Sequence, residues 1–194
     1  MRELRGYKEA QVMTGSKRLP AGNYVLKILK VKLEENPDPD KSDVLIFSFD
    51  ILEGEHANYF KDNYDNQKNE DKKWKGTYRL YVPKEDGSEQ DNWTLSRFKT
   101  TMVAFEESNE GFIWNWDEDK LNGLIIGGLF RDKEFMTSDG NKITFTQCGL
   151  FTDVESVRNG TAKPLNPILL PENTTVASGS GNDFVSANES ELPF

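Results

Sequence analysis

Apolar and polar residues alternate along five stretches of this chain, and in a sixth they recur at helical spacing. Tyr24 to Leu33 is rich in β-branched residues, with Val25, Leu29, Val31 and Leu33 on one parity and Lys30 and Lys32 on the other. That predicts a strand with a core face and a partly basic face. Asp43 to Leu52 alternates Leu45, Phe47, Phe49 and Ile51 against Val44, Ile46, Ser48 and Asp50. Thr77 to Pro83 sets Tyr78, Leu80 and Val82 opposite Arg79 and Tyr81. Leu124 to Met136 and Lys142 to Val154 flank Ser138, Asp139, Gly140 and Asn141, an Asp-Gly hairpin signal. Between the third and fourth strands, Leu95, Phe98, Met102 and Phe105 recur at helical spacing. This predicts a helix over Thr94 to Glu107, capped by Asn92 or Thr94.

The connections read as turns and loops. Two prolines and a run of acids break Glu34 to Ser42, and Ala57 to Phe60 is expected to resume extended structure. Lys61 to Gly76 is so polar that a long loop is expected there. Asn109 to Asp119 is aromatic and acidic and should pack a turn or short helix onto the body. Gly127 and Gly128 in a strand pattern mark a bulge or bend. Three strands, a helix and a strand hairpin follow the order of the OB-fold, a mainly β, five-stranded Greek-key barrel with one helix between strands 3 and 4. Past Pro164 the pattern ends. Residues 1–171 are expected to form the domain and residues 172–194 a disordered acidic tail.

Composition narrows the chemistry. One cysteine, Cys148, precludes an internal disulfide, and with one histidine, His56, it leaves no Cys/His zinc site. No glycine-rich phosphate loop is present. The triad Asp117, Glu118 and Asp119 reads as a solvated acidic turn rather than a metal site, so neither an enzyme nor a cofactor is expected. The N-terminus has no apolar signal segment and no stretch is long enough to span a membrane, which points to a cytoplasmic protein. Net charge is −9, which argues against nucleic acid. Four of the acids follow the last basic residue, Lys163, so the body carries only −5 and has room for a basic face.

Single-strand binding requires cations along the phosphates and aromatic faces under the bases. Three segments interleave them. Tyr59, Lys61 and Tyr64 form one, and Lys72, Lys73, Trp74, Lys75, Arg79 and Tyr81 form the second. Arg131 and Lys133, between Phe130 and Phe135, form the third. Lys27, Lys30 and Lys32 can join the same groove. The plain alternative is that Trp74 folds back as a loop anchor and that Tyr78 and Phe130 are core.

The chain ends with Glu189, Ser190, Glu191, Leu192, Pro193 and Phe194. This resembles the acidic C-terminal tip of bacterial single-stranded DNA-binding proteins, in which the terminal ring and carboxylate enter a basic pocket of a partner. The tip differs from the usual one in its split acids and in Leu192. Leu19 to Val25, followed by the lysine-rich strand, and Leu121 to Gly127 look like the single-stranded DNA-binding proteins of phages and mobile elements of Gram-positive bacteria. The resemblance implies coating of single-stranded DNA in replication or recombination, in the cytoplasm of a bacterial host cell. It also implies recruitment of replication and recombination proteins through Glu189, Glu191, Leu192, Pro193 and Phe194. A homo-oligomer is compatible with this reading. The alternative is an acidic interaction module or DNA mimic that inhibits a host DNA-binding enzyme.

Overall fold

A computed structural model describes residues 18–171. The tail and its tip (Glu189, Glu191, Leu192, Pro193 and Phe194) lie outside the described residues. The five alternating stretches form β1 (Gly22–Glu34), β2 (Val44–Ile51), β3 (Thr77–Tyr81), β4 (Ile125–Met136) and β5 (Lys142–Thr152). All pair antiparallel in one sheet of order β3-β2-β1-β4-β5. The protein is thus mainly β. The sheet is open between β3 and β5, which do not pair as strands. No helix among the described residues is long and apolar enough to cross a membrane.

The inward parity of β2 is as expected: Leu45, Phe47, Phe49 and Ile51 are all buried. Strand β1 differs. Its register shifts between Ile28 and Lys30, so Leu26, Ile28 and Val31 face the core and Leu29 is extruded, 46% exposed. A β-bulge reverses parity along the strand, which a fixed period of two does not foresee. The bulge is hydrogen bonded from the side. The Val31 amide donates to Asn122 Oδ1 at 2.7 Å, and the Ile28 amide donates to the Leu124 carbonyl at 2.9 Å.

Helix α2 (Glu89–Ser108) closes the core from the open side of the sheet. It starts earlier than expected because Ser88, not Asn92 or Thr94, is the cap: its Oγ accepts from the Asp91 amide. Phe98, Met102 and Phe105 are buried as expected, and Leu95 is exposed. Phe105 stacks on Phe47 at 5.8 Å, and Phe151 of β5 meets Phe47 edge-on at 5.3 Å. Tyr78 and Phe130 are core residues, as the plainer reading of the sequence had them.

Two short helices were not expected. Helix α1 (Tyr59–Asp65) replaces the extended segment and the start of the long loop. Its nucleation comes from Asp50 on β2, whose buried carboxylate accepts from the amides of Phe60 and Lys61. Helix α3 (Val154–Arg158) takes the residue expected to end β5, capped by Asp153, which accepts from the Ser156 amide at 2.7 Å. Gly127 lets α3 sit against the sheet, since a Cβ there would lie 2.8 Å from the Asp153 carbonyl oxygen.

Candidate nucleic-acid interface

The outward face of β1, β2 and β3 is set by register. Lys27 lies opposite Asp50, and Lys30 opposite Ser48, which pairs onward with Thr77. Lys32 lies opposite Ile46, which pairs with Arg79, and the next row ends at Tyr81. The bulge keeps Lys27 on the same side as Lys30 and Lys32, so all three exposed lysines share one face with Arg79 and Tyr81. Lys27, Lys30 and Lys32 make no ion pair among the described residues. Arg79 is bridged to Glu34 at 3.8 Å, both side chains being about half exposed. Such a surface pair is weak, on the order of 0–1 kcal/mol.

At one end of this face is an open pocket of about 320 Å³. Lys27 and Leu29 of β1, Leu52 after β2, Lys61 of α1 and Trp74 line it, over a floor that includes Asp50. Residues from four separate parts of the chain therefore meet there. Trp74 is half-buried, and its Nε1 donates to the carbonyls of Phe49 (3.2 Å) and Gly76 (3.1 Å). It is a loop anchor, as the plainer reading proposed, and it is also a pocket wall. Gly76 makes this docking feasible, because a Cβ there would lie 2.3 Å from the Phe49 carbonyl oxygen. Tyr64 packs against Trp74 with ring centroids 5.8 Å apart, and the Lys72 ammonium stands 5.6 Å from the Tyr64 centroid.

The loop after α1 is pinned at several points. Gln67 accepts from the Lys73 amide and donates to its carbonyl, both at 2.9 Å, and Lys72 Nζ donates to the Asp65 carbonyl. Lys61 pairs with Asp65 at 2.6 Å. That hydrogen bond holds the Lys61 ammonium above its ordinary pKa and the Asp65 carboxyl below its own. Lys61 therefore carries its charge at the pocket rim. Lys73 and Lys75 are exposed on the same loop, Lys73 near Asp71. Tyr59 does not join the pocket lining. It packs on Phe60, and its hydroxyl accepts from the Leu19 amide at 3.0 Å, so it tethers the segment before β1.

Arg131 and Lys133 lie elsewhere. Beyond Phe130, β4 leaves its pairing with β1 and continues with β5 as a two-stranded arm. Arg131 lies beside Gly149 and Lys133 pairs with Ile168, while Phe135, Ile143 and Phe145 are exposed further along the arm. The third sequence cluster is thus not brought to the pocket. Asp117 pairs with Lys120 at 3.6 Å on the turn before β4.

Sequence reasoning missed two residues next to this face. Trp93 and Arg97 of α2 share a small cleft of about 60 Å³ with Arg79 and Tyr81. Arg97 Nη2 donates to the Gly149 carbonyl of β5 at 2.7 Å and to the Tyr78 hydroxyl of β3 at 3.0 Å. One guanidinium therefore spans the opening between the two end strands. The clue was the spacing of Trp93 and Arg97, four residues apart on a helix that begins before them. No known family's profile matches the chain, and no curated protein matches it.

Proposed function

We propose that this chain binds single-stranded DNA on the outward face of β1, β2 and β3. The observation that supports this best is the convergence of Trp74, Lys61 and Lys27 around one pocket. That pocket continues into Lys30, Lys32, Arg79 and Tyr81. Phosphates are neutralised by the lysines and bases stack on the rings, each stack contributing about 1–3 kcal/mol. The sheet order fits an OB-type barrel whose open seam between β3 and β5 is bridged by side chains, and we read the fold so. On this reading the chain coats displaced strands in replication or recombination. Recruitment of partner proteins through Glu189, Glu191, Leu192, Pro193 and Phe194 belongs to the same proposal.

The test is fluorescence anisotropy with labelled oligo-dT and a duplex control at two salt concentrations. Tight, salt-weakened binding to the single strand is expected, with far weaker binding to duplex. Trp74→Leu should weaken it by about 5- to 150-fold, the equivalent of one lost stack. Lys30→Gln with Lys32→Gln, which leaves the fold untouched, should reduce the salt slope by about 0.7 per lost phosphate contact. No binding at low salt would overturn the proposal and leave the acidic interaction module standing.

A further inference from the structure

We propose a second base-stacking platform at Trp93, where the nucleic acid leaves the sheet past the end of β3 at Tyr81. This rests on the single-strand reading above. Strand β3 pairs only with β2, and it ends at Tyr81 on the outward face, opposite Val44. Tyr81 is 55% exposed there, and it shares a cleft with Trp93, Arg79 and Arg97. The cleft, about 60 Å³, is too small to swallow a base, so bases lie on the rings at its rim.

Trp93 is held ready for that role. The Arg97 guanidinium sits 5.2 Å from its ring centroid, a cation–π contact that backs the indole. Arg97 is itself fixed by the Gly149 carbonyl and the Tyr78 hydroxyl. A ring already immobilised loses little freedom when a base stacks on it. The cation between the platforms is also poised, because a phosphate can take the place of Glu34 on Arg79.

The two platforms stand at opposite ends of the basic rows. From the Asp50 row, at the Trp74 pocket, to the Val44 row, at Tyr81, β2 advances six residues, or about 20 Å. Lys30, Lys32 and Arg79 lie between, and Lys27 stands at the Trp74 end. The ligand is therefore a run of several unpaired nucleotides, stacked at both ends and neutralised in the middle. A duplex cannot meet this arrangement, since its bases face each other.

The experiment titrates the full chain with oligo-dT of increasing length, from about 4 to about 16 nucleotides. Wild type is compared with Trp93→Leu, Trp93→Phe and Tyr81→Ala. On the longer oligonucleotides Trp93→Leu should bind about 5- to 150-fold more weakly and Trp93→Phe close to wild type. On the shortest, which occupy only the Trp74 end, all should match wild type. Tyr81→Ala alters an exposed ring and should repeat the length dependence without disturbing the core. The platform is refuted if Trp93→Leu or Tyr81→Ala matches wild type at every length, or if Trp93→Leu weakens all lengths equally, as a folding defect would. If wild type binds no length, the single-strand reading itself fails, and the platform with it.

Discussion

Arg97 holds together two strands that share no strand pairing, so its removal tests how the sheet's open side is kept shut. Arg97→Met retains the aliphatic stem and its cover over Trp93 but deletes the guanidinium. Hydrogen bonds from a charged donor to two acceptors are lost: one to the Gly149 carbonyl, and those from Nε and Nη2 to the Tyr78 hydroxyl. Such bonds contribute about 1.5–3 kcal/mol each when buried. Arg97 is only half-buried, so the low end applies, and Gly149, which is buried, keeps an unpaired carbonyl. The expected loss is about 2–4 kcal/mol. For a domain of this size that is a fall in Tm of about 5–15 °C. Thermal and urea unfolding by circular dichroism would measure it, with Arg97→Lys beside it. Lysine cannot reach both acceptors from one planar fork, so it should rescue little. Hydrogen exchange adds the decisive pattern: faster exchange in β3 and in Gly149 to Thr152, with β1 unchanged. A loss below about 0.5 kcal/mol, the level of an ordinary surface substitution, would refute the reasoning, as would uniform loosening of all five strands.

Three further outcomes follow from contacts already described. Gly76→Ala places a methyl 2.3 Å from the Phe49 carbonyl oxygen and 2.8 Å from the Phe60 ring, so it should destabilise by at least about 2 kcal/mol in chemical denaturation. Asp50→Ala removes the acceptor for the Phe60 and Lys61 amides; a loss of about 1–2 kcal/mol is expected, with weaker oligo-dT binding from the loosened pocket. Acid should destabilise through carboxyls held below their usual range: Asp38 by the Asp40 amide, Glu53 by Arg158, Asp65 by Lys61, Glu134 by Lys142. Asp86 is lowered furthest, to about 2, by its hydrogen bonds with Ser88 and Lys84. Groups lowered on folding stabilise above their ordinary pKa and cease to as pH falls through the folded value. Tm should therefore be level from about pH 7 to 5 and decline from about pH 4.5 towards 2, and a Tm that rises on acidification would contradict these pairings.

Residues whose neighbours lie close in sequence were the legible ones. The β2 alternation, the outward Arg79 and Tyr81, and the Asp-Gly hairpin were read from periodicity and turn chemistry alone. What stayed hidden depended on distant partners. Helix α1 is too short and polar to announce itself, and it forms because Asp50, on another element, accepts its first amides. Trp74 looked stranded in a polar loop because the carbonyl it binds belongs to Phe49, 25 residues earlier. Arg131 and Lys133 looked like groove residues, but β4 outruns β1 and carries them away.

The extra residue in β1 also says something about how the strand tolerates length change. Ile28, Lys30 and Val31 would alternate correctly if Leu29 were absent, so the insertion is grafted onto an otherwise regular ladder. A chain lacking that one residue would keep its lysines outside and its apolar side chains inside. What it would lose is curvature. The first half of β1 pairs with β4 and the second half with β2, and the kink falls just past Lys27, where the two pairings meet. A straighter β1 would carry β3 and β5 apart and take the Gly149 carbonyl out of the reach of Arg97. Among homologues, then, a one-residue gap at Leu29 and the loss of the arginine at position 97 should occur together.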